Sequence, residues 1–305
     1  MLTVILALLA LSVPAQTFPA AAQTFPAAAQ TSPAAVQARI TIVAAENFYG
    51  DVAQQIAGDG AAVSSILNNP DQDPHLFEAS PSVARQLAGA AIAICNGADY
   101  DPWMTRLLAA TKAPGRIVIV AADLVHRKAG DNPHLWYDPP TMPAVARALS
   151  VALAERDPAH KADYDARLAS FLESLRPVQA KIAELRQRFA GTAVTATEPV
   201  FGYMAAALGL TMRNERFQLA VMNDTEPRAS DVAAFETDLR RHSVRLLLYN
   251  SQATDAAARR LLRIAGQAKV PTVGVTETAP IGRHYQDWML DQLDAVARAL
   301  AAAPP

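Results

Sequence analysis

Cysteine is all but missing: Cys95 is the single copy in 305 residues. An internal disulfide is therefore excluded, and so is a zinc or iron–sulfur site built from several thiolates. Cys95 closes the apolar run Ala90–Cys95 and reads as a small buried hydrophobe. An excess of either charge is also missing. The 27 basic and 29 acidic residues nearly balance, and no block of Lys or Arg occurs, so the electrostatic footprint of a nucleic-acid binder is lacking. No apolar run reaches the roughly 20 residues that span a bilayer. Gly58-Asp59-Gly60 lacks the third glycine of a dinucleotide fingerprint and does not directly follow a predicted strand. A P-loop, an HExxH pair and a G-x-S-x-G elbow are likewise missing, so nucleotide binding and the common hydrolase schemes lack their marks.

What is present is a globular composition, 51% hydrophobic and 18% charged, in a chain long enough for two cores. Leu2–Ala15 has the length and apolarity of a signal-peptide core, although no Lys or Arg precedes it. Residues 1–15 are therefore expected to be a signal peptide, with a periplasmic destination. No cysteine follows at either small-residue cleavage motif, so a cysteine-linked lipid anchor is not expected there. The unit Ala15–Ala21 (AQTFPAA) recurs at Ala22–Ala28, and again at Ala29–Ala35 with Ser32 in place of Phe. A proline in every copy rules out a coiled coil despite the seven-residue period, and a disordered linker over 16–38 is expected.

From Arg39 the pattern alternates. Strands are predicted at 39–45, 62–67, 90–95 and 116–120, with helices between and after them, the last ending near Arg156. Tyr164, Leu168, Phe171, Leu175, Val178, Ile182, Leu185 and Phe189 then recur at steps of three and four. They predict one long amphipathic helix over about 159–190, which Pro177 kinks or splits. Strands at 192–197, 244–249 and 270–275 follow, with helices from Pro199, Ser230, Thr254 and Tyr285. The fold class is α/β: two lobes with parallel-type sheets joined by a long connecting helix. The lobes are expected at 39–157 and 191–305, with the connection at 158–190.

Ligands of open α/β sheets bind beyond the carboxyl ends of the strands. Four metal-capable residues fall there: His75 after the second strand, His134 after the fourth, Glu198 after 192–197 and Glu277 after 270–275. Both histidines follow a proline, in Asp73-Pro74-His75 and Asn132-Pro133-His134, and proline stiffens the loop that aims the ring. Two imidazoles and two carboxylates make a nitrogen–oxygen shell for a divalent transition metal. Each residue alone also has an ordinary structural role open to it. His126, His160, His242 and His284 read as surface residues, with His126 the exception to watch because it shares the loop of His134. Asp73, Glu78 and Asp138 read as acids that back an imidazole or cap a helix.

Five motifs, in order, carry a resemblance: Ala44-Ala45-Glu46-Asn47-Phe48-Tyr49-Gly50, Asp73-Pro74-His75, Asn96-Gly97-Ala98-Asp99-Tyr100, Asn132-Pro133-His134-Leu135-Trp136 and Phe201-Gly202-Tyr203. Together they resemble the metal-binding lipoprotein and zinc-uptake family, the substrate-binding proteins of ABC importers for zinc, manganese and iron. The resemblance implies two lobes joined by a rigid helix, with the metal between them. Its ligand pattern matches His75 and His134, then Glu198 in a place held by His or Glu, then the acid Glu277. It also implies a non-enzymatic protein carrying one divalent ion, Mn or Zn, as transported ligand, a membrane permease as partner, and a monomer. Two departures stand out. Lys128–Asp131 shows none of the His-rich loop of many zinc members. Glu198 in third place is similar to the manganese and iron members. A metal-dependent hydrolase with an open coordination site, and a metal-stabilised adhesin, are the competing readings.

Overall fold

The computed structural model describes residues 39–302 apart from 72, 73 and 254, and of His75 it describes the backbone alone. The expected signal peptide (1–15) and repeat linker (16–38) lie outside the described residues. Eight strands form two parallel sheets. The first holds β1 (Ile40–Glu46), β2 (Ala61–Leu67), β3 (Ile92–Cys95) and β4 (Ile117–Val120), in the order β2-β1-β3-β4. The second holds β5 (Ala193–Ala196), β6 (Thr211–Arg213), β7 (Leu247–Asn250) and β8 (Thr272–Val275), in the order β6-β5-β7-β8. The two orders are the same permutation. In each sheet the lobe's first strand lies inside, and β1 is buried from Ile42 onward. Near-continuous apolar strands are what a sheet covered on both faces requires.

Twelve helices cover the sheets: α1 (Asn47–Ala57), α2 (Pro81–Ala88), α3 (Pro102–Ala110), α4 (Ala121–Leu124), α5 (Thr141–Arg156), α6 (Lys161–Ser174), α7 (Arg176–Phe189), α8 (Gly202–Ala207), α9 (Glu215–Met222), α10 (Ala229–Arg240), α11 (Ala256–Gln267) and α12 (Tyr285–Ala302). The long helix predicted over 159–190 is two helices that meet at Leu175. Pro177 is the cause. It has no N–H to offer the Glu173 carbonyl, and its ring crowds that carbonyl, so the chain restarts a helix there. α6 packs on α1 and α5 in the first lobe, and α7 packs on α12 in the second.

The apolar core has three parts. One lies on the outer face of each sheet, around Leu87, Trp103 and Met104 in the first lobe and around Phe217, Phe235 and Leu261 in the second. The third and largest runs without interruption from one lobe into the other. Aromatic rings make the crossing. Phe48 lies 4.8 Å from Trp136 and 6.0 Å from Trp288, and Tyr137 lies 5.1 Å from Phe201 and 5.7 Å from Trp288. Such ring pairs add about 0.5–1.5 kcal/mol each beyond the area they bury. No helix among the described residues is long and apolar enough to cross a membrane.

Candidate metal centre

His134, Glu198 and Glu277 converge where the carboxyl ends of the two sheets face each other. Each offers one ligand atom, and the three atoms lie within 4.8 Å of one another. All three side chains are buried. The chain delivers them in different ways. His134 follows Pro133 in the loop after α4. Glu198 is the extended residue between β5 and the 3-10 turn Pro199–Phe201. Glu277 lies two residues past β8.

The imidazole is set by Asn132. Its Oδ1 accepts from the His134 backbone N–H at 3.1 Å and lies 2.6 Å from Nδ1. Its Nδ2 donates to the Pro199 carbonyl at 2.8 Å. That donation fixes which end of the amide is oxygen, so Nδ1 carries a ring proton and Nε2 is the nitrogen turned towards the acids. Nε2 is fully buried and has no hydrogen-bond partner. It points at the acids, 3.5 Å from Glu277 Oε2 and 4.0 Å from Glu198 Oε1.

The acids are set by Asn250, the last residue of β7. Its Nδ2 donates to Glu198 Oε2 at 2.9 Å and also to Glu277 Oε1. Its Oδ1 accepts from the Gln252 N–H at 3.0 Å. Gln252 Oε1 in turn accepts the N–H groups of Glu277 at 2.6 Å and Thr278 at 3.1 Å. The Glu277 loop is also held from the opposite lobe. Tyr137 donates to the Thr276 carbonyl at 3.0 Å, and Asn47 exchanges two hydrogen bonds with the backbone of Ala279. The Tyr100 ring stands edge-on to His134 at 6.1 Å. Burial pushes the Tyr100 phenol well above its usual range, and the carboxylates of Glu277, Glu46 and Glu198 push it further.

Chemically, the cluster is one imidazole nitrogen and two carboxylates drawn together, with no Lys or Arg among its three residues. A divalent cation would offset the charge of the two carboxylates. Tetrahedral ligands about 2.0–2.2 Å from an ion stand roughly 3.4 Å apart. The 3.5 Å separation from Glu277 meets this, and Glu198, at 4.0 Å, would have to move inward.

Of the four residues expected in the shell, the structure brings these three together. The fourth, His75, lies in the 3-10 turn Pro74–Leu76 after β2, and its side chain lies outside the described residues, as does Asp73. Glu78 is exposed. Asp138 does not back an imidazole: it pairs with Arg127 at 3.2 Å. His126, His160, His242 and His284 are all exposed. Asn250 is not among the residues that the sequence singles out. Its position at the end of a buried strand, directly before a loop, is the available signal.

The family model described as "zinc-uptake complex component A, periplasmic" matches residues 42–299. The chain belongs to this zinc-uptake family. Among curated relatives, it is 23% identical over 282 residues to the metal ABC transporter substrate-binding lipoprotein ScbA of Streptococcus cristatus, covering 87% of this chain and 90% of the relative. It is also 23% identical to the manganese ABC transporter substrate-binding lipoprotein PsaA of Streptococcus pneumoniae, covering 86% and 89%. The periplasmic zinc-binding protein TroA of Treponema pallidum superposes with a TM-score of 0.72 at 17% identity, covering 86% of this chain and 99% of TroA. At that identity the likeness shows the shared two-lobe fold.

Proposed function

We propose that this chain is an extracytoplasmic solute-binding protein. It captures one divalent transition metal ion, manganese or zinc and with iron as the further candidate, and passes it to the membrane permease of an ABC importer. The ion is its cargo. His134, Glu198 and Glu277 supply three ligands, and His75, from the loop after β2, supplies the fourth. The observation that carries this reading is the buried His134 Nε2, without a hydrogen-bond partner and facing two carboxylates from the other lobe. Membership of a family of importer components supports it. Four protein ligands would complete a tetrahedral shell and leave no position for a reacting substrate, which favours carriage over catalysis. Two carboxylates and a divalent ion sum to zero charge, which suits a buried site. Carboxylates that turn bidentate would suit a larger ion such as Mn²⁺, yet an N/O site at equilibrium holds Zn²⁺ more tightly.

The test is calorimetric titration of the metal-free protein with Zn²⁺ and Mn²⁺ salts. One ion per chain is expected, with Zn²⁺ displacing Mn²⁺. Glu277→Ala is expected to weaken either ion by about 100-fold or more, beyond the loss typical of a residue that only orients a ligand. Wild-type affinity retained in Glu277→Ala would remove that acid from the shell, and exchange of ligand water with hydrolytic turnover would favour the hydrolase reading.

A further inference from the structure

A cavity of about 650 Å³ opens in the second lobe, with Glu198 among the residues that line it. Its walls come from α9, the turn after it, the loop after β7 and the start of α11, with Leu76 of the first lobe at one side. Two independent features make it more than a surface dent. First, its charge is of one sign: Asp224, Glu226, Asp255 and Glu198 all line it, and no described lining residue is Lys or Arg. Second, it borders the buried cluster: Glu198, in its wall, has Oε1 4.0 Å from the fully buried His134 Nε2, which has no hydrogen-bond partner.

The four acids are not equivalent. Asp255 is engaged in structure, capping α11 by accepting from the Ala258 N–H at 2.6 Å. Glu198 is held by Asn250. Asp224 and Glu226 are exposed, on the turn between α9 and α10. The shape of that turn is fixed by its backbone. Asn223 and Asp224 donate to the carbonyls of Leu219 and Val221, and Thr225 donates to the Ala220 carbonyl through both its N–H and its hydroxyl. Asp224 takes a left-handed φ of 49°, a conformation that Asp and Asn tolerate better than other residues. The turn thus holds two exposed carboxylates in the wall of a cavity that the buried Glu198 also lines.

We propose that this cavity is the approach route of the cation, and that Asp224 and Glu226 are positioning residues that raise its association rate. The inference rests on the metal-carrying function proposed above. The cavity has more volume than an ion with its water needs. Six waters occupy roughly 200 Å³ of liquid volume. The ion enters hydrated, is concentrated by the single-sign rim, and loses water at Glu198. Rim charge acts on encounter and not on the bound state, so it changes the on-rate and leaves the off-rate alone.

Stopped-flow mixing of metal-free protein with Zn²⁺ or Mn²⁺ reads both rates through tryptophan fluorescence, since Trp136 lies 5.3 Å from the His134 ring. The double variant Asp224→Asn/Glu226→Gln keeps the turn's backbone preference. At low salt it is expected to bind about 3- to 10-fold more slowly with an unchanged off-rate, and the difference is expected to shrink at 0.5 M salt. Glu155→Gln/Asp163→Asn, which removes the same charge from exposed positions on α5 and α6, is expected to bind at the wild-type rate. An unchanged on-rate in the rim variant, an equal drop in the distant variant, or a loss lying in the off-rate overturns the route. Failure of the wild type to bind either ion overturns the function itself, so the two failures read differently.

Discussion

Glu46 and Glu198 occupy the same place in two sheets of the same strand order. Glu46 ends β1 and Glu198 lies two residues past β5; each is extended, and each precedes a helical turn without a side-chain cap bond. Both are buried. Their surroundings differ in one amide. Beside Glu198, Asn250 at the end of β7 donates to the carboxylate. Beside Glu46, the corresponding amide is Asn96, directly after β3, and it is turned elsewhere. It accepts from the Tyr49 hydroxyl at 2.7 Å and donates to the Pro133 carbonyl at 2.9 Å. Both oxygens of Glu46 are left without a hydrogen-bond partner. Burial, then the nearby charge of Asp101, pushes its carboxyl well above the usual range. The lesson is that two buried acids in matching places differ in the donor beside them: Asn250 holds the Glu198 carboxylate, whereas the amide beside Glu46 is turned away from it. The first lobe uses that amide to hold the His134 loop instead, and brings an imidazole to the cluster where the second lobe brings acids.

The sharpest way to break this comparison is to remove each amide in turn. Asn250→Ala is expected to weaken Zn²⁺ binding by about 10- to 100-fold, because both carboxylates lose the donor that orients them. Asn96→Ala is expected to show its loss chiefly in thermal stability, about 1–3 kcal/mol, because a buried tyrosine hydroxyl and a loop carbonyl lose their partners. Calorimetry and denaturant melts separate the two, and equal affinity losses would mean that the amides are interchangeable.

A smaller effect is expected at Gly202, where the lobes meet. A Cβ there would stand 2.9 Å from Asn132 Nδ2, the atom whose bond to the Pro199 carbonyl fixes the amide behind His134. Gly202→Ala is expected to weaken metal binding about 10-fold and to cost about 1–2 kcal/mol of stability. Wild-type affinity in this variant would show that the Asn132 amide is free to turn.

Glu46→Gln sharpens the comparison from the other side. The unfolded chain ionises this carboxyl near pH 4.5, while the folded chain holds its proton to higher pH. Stability is therefore lost as pH rises above about 4.5. The Gln variant is expected to match the wild type at pH 4 and exceed it by about 1–2 kcal/mol at pH 7.5. A constant difference across that range would mean that Glu46 does not titrate on folding. The smallest effect is expected at His284, whose ring lies 2.7 Å from Asp51 of α1. That hydrogen bond and charge raise its pKa, so its contribution is full below about pH 6.5 and is lost as pH climbs through the raised value. Because the His284 ring is largely exposed, His284→Gln is expected to cost under about 1 kcal/mol at pH 5.5 and nothing at pH 9. Melts at the two pH values decide it.

Much of this was legible beforehand. β1 showed in a run of β-branched residues and α12 in its recurring apolar positions, and Glu198 and Glu277 showed in their position just past apolar strands. β6 did not, since Thr211–Arg213 offers three residues and no period, and without β6 the matching strand orders stay hidden. Nor did the roles of Asn96 and Asn250, because an amide's partners depend on which way it turns in the folded interior. The break at Leu175 was half-legible: Pro177 marked it, but a kink and a full stop share one sequence signal.

The aromatic seam between the lobes has a consequence for how a cargo leaves. Phe48, Trp136, Tyr137, Phe201 and Trp288 leave no cleft to swing wide, since parting the halves would wet a slab of rings. Loading and unloading are therefore expected to be small-amplitude events, local to the segments that carry His134, Glu198 and Glu277. A partner that tells the full protein from the empty one would have little change of outline to feel, and would sense instead how firmly those segments are pinned.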